Sequence, residues 1–234
     1  MPASILKFWT EDRSLTALLC LLALHLLVFS SASSLGAIVR PLNSVFLTLL
    51  LLAGILTIGR HGLFRIVAVG FIALVVIVRI MDLFLDLPWL HVTLLALTGV
   101  CYALILFVVA QMVYGEGAIT GHRIRGSIAL YLLIAALFTI LYVLLETVSP
   151  GAFRFPDYWQ EGRSDLKDVL AYFSFVTMTT LGYGDVTAVH PLARSLVMSE
   201  ALIGQLYPAV LIARLVTLYA GTMTPGEGEG DGKS

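Results

Sequence analysis

Long apolar stretches separated by short polar segments dominate the chain. An α-helix needs about 20 apolar residues to cross the hydrocarbon core of a bilayer. Six stretches reach that length, and the polar segments between them are rich in Ser, Gly, Arg, His and Asp. The pattern therefore predicts six transmembrane helices, within residues 14–35, 41–59, 63–83, 90–114, 126–146 and 192–218.

A seventh run, at residues 166–179, lies between the fifth and sixth stretches and is shorter and less apolar. It ends in a glycine-containing turn and is too short to cross a bilayer. We expect it to enter the membrane and return to the same side. The predicted fold class is an all-α membrane protein with six transmembrane helices and one re-entrant helix between helices five and six.

Composition supports a membrane protein and excludes several other classes. Hydrophobic residues make up 59% of the chain and charged residues 12%, against about 45–50% and 25% in soluble domains. A soluble enzyme and a disordered protein are therefore excluded. The net charge of −1 provides no basic field for nucleic acid. Cys20 and Cys101 both lie inside apolar runs, which favours buried free thiols.

The first apolar stretch raises the question of a cleaved signal peptide. Small residues occur around its end, at Ser31–Ala37, as at a cleavage site. However, Glu11 and Asp12 precede it, whereas a signal peptide has a positively charged start. We expect a retained helix, with cleavage as the alternative.

Basic residues near the ends of the apolar stretches predict the orientation. Short cytoplasmic loops carry an excess of Lys and Arg. Arg60 and Arg65 flank the second gap, and Arg123 and Arg125 lie in the fourth. The even-numbered gaps are therefore expected in the cytoplasm together with both termini, and segment 147–191 is expected outside.

Residues 177–185, Thr-Met-Thr-Thr-Leu-Gly-Tyr-Gly-Asp, carry the chemistry that a dehydrated cation needs. Such an ion requires a cage of oxygen atoms, and rings of backbone carbonyls can provide it. Consecutive carbonyls point the same way only if alternate residues leave ordinary φ/ψ space, which Gly182 and Gly184 can do. Thr180 adds a hydroxyl oxygen at the inner end.

This stretch resembles the selectivity filter of potassium channel pore subunits, which reads Thr-Val/Ile-Gly-Tyr-Gly-Asp. Leu181 replaces Val or Ile, at a side chain expected to point away from the ions. Tyr183 is retained, whereas Asp at this position accompanies poor potassium selectivity in the family. The resemblance implies a homotetramer that conducts K⁺ passively, with no cofactor besides the permeant ion. The residues implied to coordinate K⁺ are Thr180, Leu181, Gly182, Tyr183 and Gly184.

The resemblance covers residues 126–218 and divides the chain into three parts. This pore domain would contain an outer helix, a pore helix, the filter and an inner helix. Residues 1–125 would form a four-helix transmembrane domain of unknown role, and 219–234 a disordered cytoplasmic tail. The small members of the family suggest a prokaryotic plasma membrane, with membrane lipids as partners and the filter facing outside.

Several residues near the filter are expected to support it. Asp185 would anchor its outer end, and aromatic side chains of the pore helix would brace Tyr183. Many family members carry two tryptophans in that helix and a proline soon after the filter, whereas here the first proline is Pro191. The outer mouth is therefore expected to differ in shape. The predicted supporting residues are Asp185, Thr179, Tyr172 and Phe173.

The last apolar stretch carries two features of a gating hinge. Pro208 cannot donate a hydrogen bond to the carbonyl of Gly204, so both residues weaken the same helical bond and predict a bend. The alternative is that Gly204 only permits close helix packing. Side chains expected at helical spacing along the cavity are those of Gln205, Pro208, Ile212 and Val216.

Ionisable residues outside the filter bear on whether the protein senses protons or membrane voltage. Glu200 lies inside the last helix, where it either locks this helix to the pore helix through hydrogen bonds or senses protons. His190, near the outer mouth, is either inert or sensitive to external pH. The fourth stretch, 90–114, contains no Arg or Lys, so strong voltage gating is not expected.

Two other functions fit parts of the sequence. Gly182–Asp185 also matches the GxGD motif of intramembrane aspartyl proteases. Their chemistry needs a second carboxylate in the preceding helix, and 126–145 contains no acid. A non-selective cation channel on the same scaffold is the closer alternative, and the retention of Tyr183 argues against it.

Overall fold

A computed structural model describes residues 19–20, 22–23, 62–85, 87–115, 121–159 and 166–222. The first two predicted spans, 14–35 and 41–59, fall almost entirely outside the described residues. Residues 223–234 of the predicted tail also lie outside them.

Helices account for most of the described chain, and a short two-stranded ladder lies between two of them. The elements are α1 (Gly62–Leu85), α2 (Pro88–Tyr114), α3 (Gly121–Val148), β1 (Phe153–Arg154), a 3₁₀ turn (Asp157–Trp159), α4 (Leu166–Met178), β2 (Thr187–Ala188) and α5 (Pro191–Thr222).

The helices at the third to sixth apolar stretches and at the short run are confirmed as helices. Three of them are long and apolar enough to cross a membrane, at Pro88–Tyr114, Arg123–Val148 and Pro191–Arg214. By length and composition, the described residues thus contain three candidate membrane spans, which is consistent with a helical membrane protein. α5 continues to Thr222, into the segment predicted to be a tail.

Local sequence explains how the helices begin and how their polar side chains are satisfied. Pro88 occupies the start of α2, where a missing N–H costs nothing, and Leu87 before it is extended. Thr and Ser side chains inside the helices donate to the carbonyl four residues earlier, as Thr98 and Thr139 do at 2.7 and 2.9 Å. These hydroxyls are therefore compatible with an apolar environment.

Two clusters of buried apolar side chains hold the helices together. The first lies between α2 and α3 and includes Ile105, Val109 and Leu133. The second joins α3, α4 and the loops on either side of α4, and is centred on Tyr142 and Phe153. The second cluster therefore positions the short helix α4 against the long helix α3.

The β-ladder is a feature that the all-α prediction did not include. β1 and β2 pair antiparallel, with Phe153 opposite Ala188 and Arg154 opposite Thr187. Next to it, the carbonyl of Ala152 accepts the N–H groups of Val189 and His190 at 2.9 and 3.1 Å. The loop that follows α3 is thereby fastened to the chain that leads into α5.

Candidate functional site

The segment between α4 and β2 has an alternating backbone conformation. Thr180, Gly182 and Gly184 have positive φ angles of 61°, 54° and 76°, and these are every second residue. The departure from ordinary φ/ψ space predicted for the two glycines is therefore present. Thr180 was not expected to share it, because a left-handed conformation costs a non-glycine residue about 1–2 kcal/mol.

The same segment lies on the surface of a single chain. Residues 180–184 are all exposed, and the large side chains of Leu181 and Tyr183 are 59% and 68% exposed. Both side chains are therefore largely uncovered in a single chain.

The end of α4 holds the beginning of this segment. The last four carbonyls of a helix have no partner inside it. Here each of these four carbonyls accepts a hydrogen bond, three from backbone N–H groups just after α4 and one from a side chain of α3. The bonds run from Thr179 N to Phe175 O (3.0 Å), Thr180 N to Thr177 O (3.0 Å), Leu181 N to Val176 O (3.0 Å) and Tyr131 Oη to Met178 O (2.9 Å).

Thr179 and Asp185 contact backbone close to them in sequence. The Thr179 hydroxyl donates to the Phe175 carbonyl at 2.6 Å, which fastens it to α4. A carboxylate oxygen of Asp185 accepts the N–H of Val186 at 3.0 Å, and Val186 is buried in the second cluster. Asp185 therefore lies where the segment turns towards β2.

The predicted aromatic pair occupies two different environments. Phe173 packs with its ring centroid 5.5 Å from that of Tyr142 and 5.6 Å from that of Phe153. It therefore faces α3 and β1 of its own chain. Tyr172 is 38% exposed and is the more exposed of the two. That Tyr172 and Phe173 brace Tyr183 stays a prediction, and it concerns contacts between different copies of this chain.

Glu200 joins three helices although its side chain has no exposed surface. From α3, the hydroxyl of Tyr142 donates to Glu200 Oε2 at 2.5 Å. From α4, Ser174 Oγ lies 2.5 Å from Glu200 Oε1 and 2.8 Å from the carbonyl oxygen of Ala135. The contact to α4 is the one expected for a locking role. Tyr142 and Ser174 were not predicted, because nothing in their local sequence sets them apart.

Glu146 is a second carboxylate that sequence reasoning missed. It lies near the end of α3, and its two oxygens accept the N–H groups of Gly151 and Phe153 at 2.8 and 2.9 Å. It therefore shapes the loop that leads into β1. An acid at the end of an apolar stretch is a weak signal for such a role.

Gly204 packs against the end of α4, and α5 continues as a helix through Pro208. A Cβ atom at Gly204 would lie 2.9 Å from the carbonyl carbon of Met178. Close packing is therefore one use of this glycine, and a hinge at Gly204 and Pro208 stays a prediction. The residues predicted along the cavity, Gln205, Pro208, Ile212 and Val216, are all exposed in a single chain.

At the other end of α5, a cation contacts α2. Arg214 donates from Nη1 to the carbonyl of Val113 at 3.1 Å, and its guanidinium carbon lies 4.9 Å from the centroid of the Tyr114 ring. The two contacts link α5 to the helix that precedes α3.

Comparison with known proteins agrees with an ion channel over this region. Residues 127–220 match the family model described as "Ion channel", and they contain nearly all of α3 and α5, with α4 and the alternating segment between them. The family match therefore supports an ion channel in the same region that contains two of the candidate membrane spans.

Two curated relatives are similar to part of the chain. Protein LctB of Bacillus caldotenax is 32% identical over 87 residues, 37% of this chain and 64% of that protein. Protein LctB of Geobacillus stearothermophilus is 32% identical over 80 residues, 34% of this chain and 59% of that protein. The chain thus spans about three-fifths of the length of these relatives. No solved structure matches the chain.

Proposed function

We propose that this chain is the subunit of a homotetrameric, potassium-selective channel that conducts K⁺ passively. The observation that carries the proposal is the alternation of positive φ at Thr180, Gly182 and Gly184. This backbone follows a short helix and lies between two helices of membrane-spanning length. Backbone carbonyls that replace the hydration shell of an ion are the chemistry of K⁺ filters.

The length of α4 supports a re-entrant pore helix. Its 13 residues span about 20 Å at 1.5 Å per residue, against about 30 Å of bilayer hydrocarbon. The β-ladder brings the chain before α4 next to the chain after the filter. In the proposed arrangement, α4 and residues 180–184 form a loop that enters and leaves the membrane on its outer side. The distribution of arginines predicts this orientation, with both termini in the cytoplasm of a prokaryotic cell.

The exposure of residues 180–184 supports assembly from several copies. One chain supplies one strand, and a ring of oxygens around an ion needs more than one. Four copies are proposed from the resemblance to potassium channels. In such an assembly, the exposed side chains of Leu181 and Tyr183 would pack on neighbouring copies, and Gln205, Ile212 and Val216 would line the inner cavity.

Potassium selectivity is proposed from Tyr183 and the glycines on either side of it. Strong voltage gating is not part of the proposal, because α2 carries no Arg or Lys. Gly204 and Pro208 are proposed as the place where α5 bends on opening.

The experiment that tests the proposal is cation flux into liposomes that contain the purified protein. Potassium flux is compared with sodium flux for the native chain and for Tyr183→Asp. Potassium flux at least about tenfold above sodium flux, with the difference lost in the variant, is the expected result; this ratio corresponds to about 1.4 kcal/mol of discrimination. Equal fluxes would replace the proposal with a non-selective channel.

An intramembrane protease is tested in the same preparation. The only acid in α3 is Glu146, whose two oxygens are engaged by backbone N–H groups, so a second catalytic carboxylate lacks a candidate in that helix. Cleavage of a transmembrane peptide that Asp185→Asn abolishes would overturn the channel proposal.

A further inference from the structure

We propose that Glu200 is held as a neutral carboxylic acid and that, in this form, it is a positioning residue for the filter. The effect on the filter rests on the proposed function, whereas the protonation state is testable without any flux. Glu200 takes part in a series of three oxygen–oxygen contacts, and the protons of its neighbours are too few to form a hydrogen bond at each of them.

The three contacts form a chain across three helices. They join Tyr142 Oη to Glu200 Oε2 at 2.5 Å, Glu200 Oε1 to Ser174 Oγ at 2.5 Å, and Ser174 Oγ to the carbonyl oxygen of Ala135 at 2.8 Å. Each distance is that of an O–H···O hydrogen bond. Because each hydrogen bond contains one proton, the three contacts together require three protons.

The neighbours of Glu200 can provide only two of them. A tyrosine or serine hydroxyl carries one proton each, and a backbone carbonyl carries none. The third proton must belong to Glu200. In the resulting arrangement Tyr142 donates to Oε2, Glu200 donates from Oε1 to Ser174 Oγ, and Ser174 donates to Ala135.

An ionised Glu200 fits the same geometry less well. The carboxylate would take the Ser174 proton, which leaves Ser174 Oγ and the Ala135 oxygen 2.8 Å apart with no proton between them. It would also place a charge on a side chain with no exposed surface, which is costly inside a membrane unless a partner compensates it. Among the residues that the structure describes, the titratable groups that face Glu200 are the phenols of Tyr142 and Tyr131 on α3, and neither supplies a positive charge.

The location of Ser174 explains why this bond would matter for the filter. Ser174 lies in the last part of α4, one turn before Met178, where the helix ends and the alternating segment begins. The ring of its neighbour Phe173 packs on Tyr142, the other partner of Glu200. Glu200 thus fixes the end of α4 to both long helices at one point.

The protonation state is tested by infrared spectroscopy of the reconstituted protein. We compare the native chain with Glu200→Gln at neutral pH. The expected difference is a C=O stretching band of a protonated carboxylic acid, present only in the native chain and shifted in Ser174→Ala. Carboxylate bands in its place would overturn the proposal.

Glu146→Gln is the matched control. Glu146 lies near the end of α3, and its two oxygens accept two N–H groups, an arrangement that needs no proton on the acid. Its difference spectrum is expected to show carboxylate bands. If Glu200 and Glu146 both showed the band of a neutral acid, counting the protons available for their hydrogen bonds would not predict their protonation states. That result would overturn the proposal.

The positioning role is tested by rescue. In Gln the amide N–H replaces the acid O–H, so Glu200→Gln keeps all three bonds, whereas Glu200→Ala loses two of them. We expect K⁺ flux at least about tenfold lower for Ala and within about twofold of the native chain for Gln. Equal losses for both variants would overturn the role.

The two proposals can fail separately. If Glu200→Ala does not assemble, the infrared difference for Glu200→Gln still decides the protonation state. An absence of flux in the native chain together with the neutral-acid band would count against the channel and leave the state of Glu200 established.

Discussion

The backbone of Gly204 on α5 lies directly against the carbonyl group of Met178, the last residue of α4. At the same carbonyl, the hydroxyl of Tyr131 on α3 donates a hydrogen bond of 2.9 Å. The end of α4 is thus fixed between the two long helices by a side chain on one flank and by the absence of a side chain on the other. A glycine is needed here for close approach.

Gly204→Ala should therefore destabilise the protein. The new methyl group would meet backbone atoms of Met178, which cannot rotate away, and overpacking of this kind costs about 1–3 kcal/mol. The measurement is the midpoint of thermal unfolding in detergent micelles.

Gly99→Ala is the control for that comparison. Gly99 also lies inside a long helix, but a Cβ there would meet only the Cγ2 atom of Ile140 at 3.5 Å, which is an ordinary contact. Alanine is favoured over glycine in helices by about 1 kcal/mol, so this variant should be unchanged or more stable. A midpoint for Gly204→Ala as high as that of the control would contradict the prediction.

Gly182→Ala should abolish potassium selectivity or conduction while the assembly remains intact. At a φ of 54° a Cβ atom is strained by about 1–2 kcal/mol, and relief of the strain would rotate the neighbouring carbonyls. The measurement is potassium flux into liposomes, with assembly checked by size-exclusion chromatography.

Gly151→Ala provides a matched control for the filter variant. Gly151 has a φ of 85° and open space around its Cα, so the substitution carries similar backbone strain outside the filter. Its selectivity should equal that of the native chain. Unchanged flux in Gly182→Ala would remove the filter assignment.

Glu146→Gln should loosen the loop between α3 and β1. A carboxylate can accept both N–H groups, whereas an amide has a single acceptor oxygen, so one of the two bonds to Gly151 and Phe153 is lost at a cost of about 1–3 kcal/mol. Hydrogen exchange of peptides that cover residues 149–155 measures the effect, and faster exchange is expected. Asp157→Asn, at an exposed acid in the following 3₁₀ turn, should leave that exchange unchanged.

Arg214→Lys should weaken the contact between α5 and α2. The guanidinium of Arg214 lies over the Tyr114 ring and at the same time donates to the Val113 carbonyl, which an ammonium group does less well. A loss of about 0.5–1 kcal/mol is expected from the ring contact, read as a lower unfolding midpoint. Arg194→Lys, whose Nε bond to the Ala188 carbonyl is exposed and 3.3 Å long, should change the midpoint less.

The features predicted from sequence are those that depend on neighbouring residues. A run of apolar residues determines a helix locally, so α2, α3 and α5 lie where hydropathy places them. Gly182 and Gly184 indicate positive φ angles from the sequence alone, because few other residues adopt positive φ. Thr180 gives no such signal, because threonine is common in ordinary extended and helical backbone.

The features that were missed depend on residues far apart in the chain. Tyr142 and Glu200 are 58 positions apart, and Ser174 and Glu200 are 26 apart. Their residue types are common in membrane helices, and only the packing of three helices brings them together. The β-ladder is equally hidden, since two residues per strand produce no detectable alternation.

That ladder also bears on how the chain folds. Pairing Phe153 with Ala188 closes a loop that contains α4 and the whole alternating segment, and closing a loop of this length costs about 3 kcal/mol of chain entropy. The cost is offset only once α4 has docked on α3, because the ladder itself is very short. Formation of the ladder should therefore follow helix docking, and the segment it encloses should reach its final backbone conformation among the last events of folding.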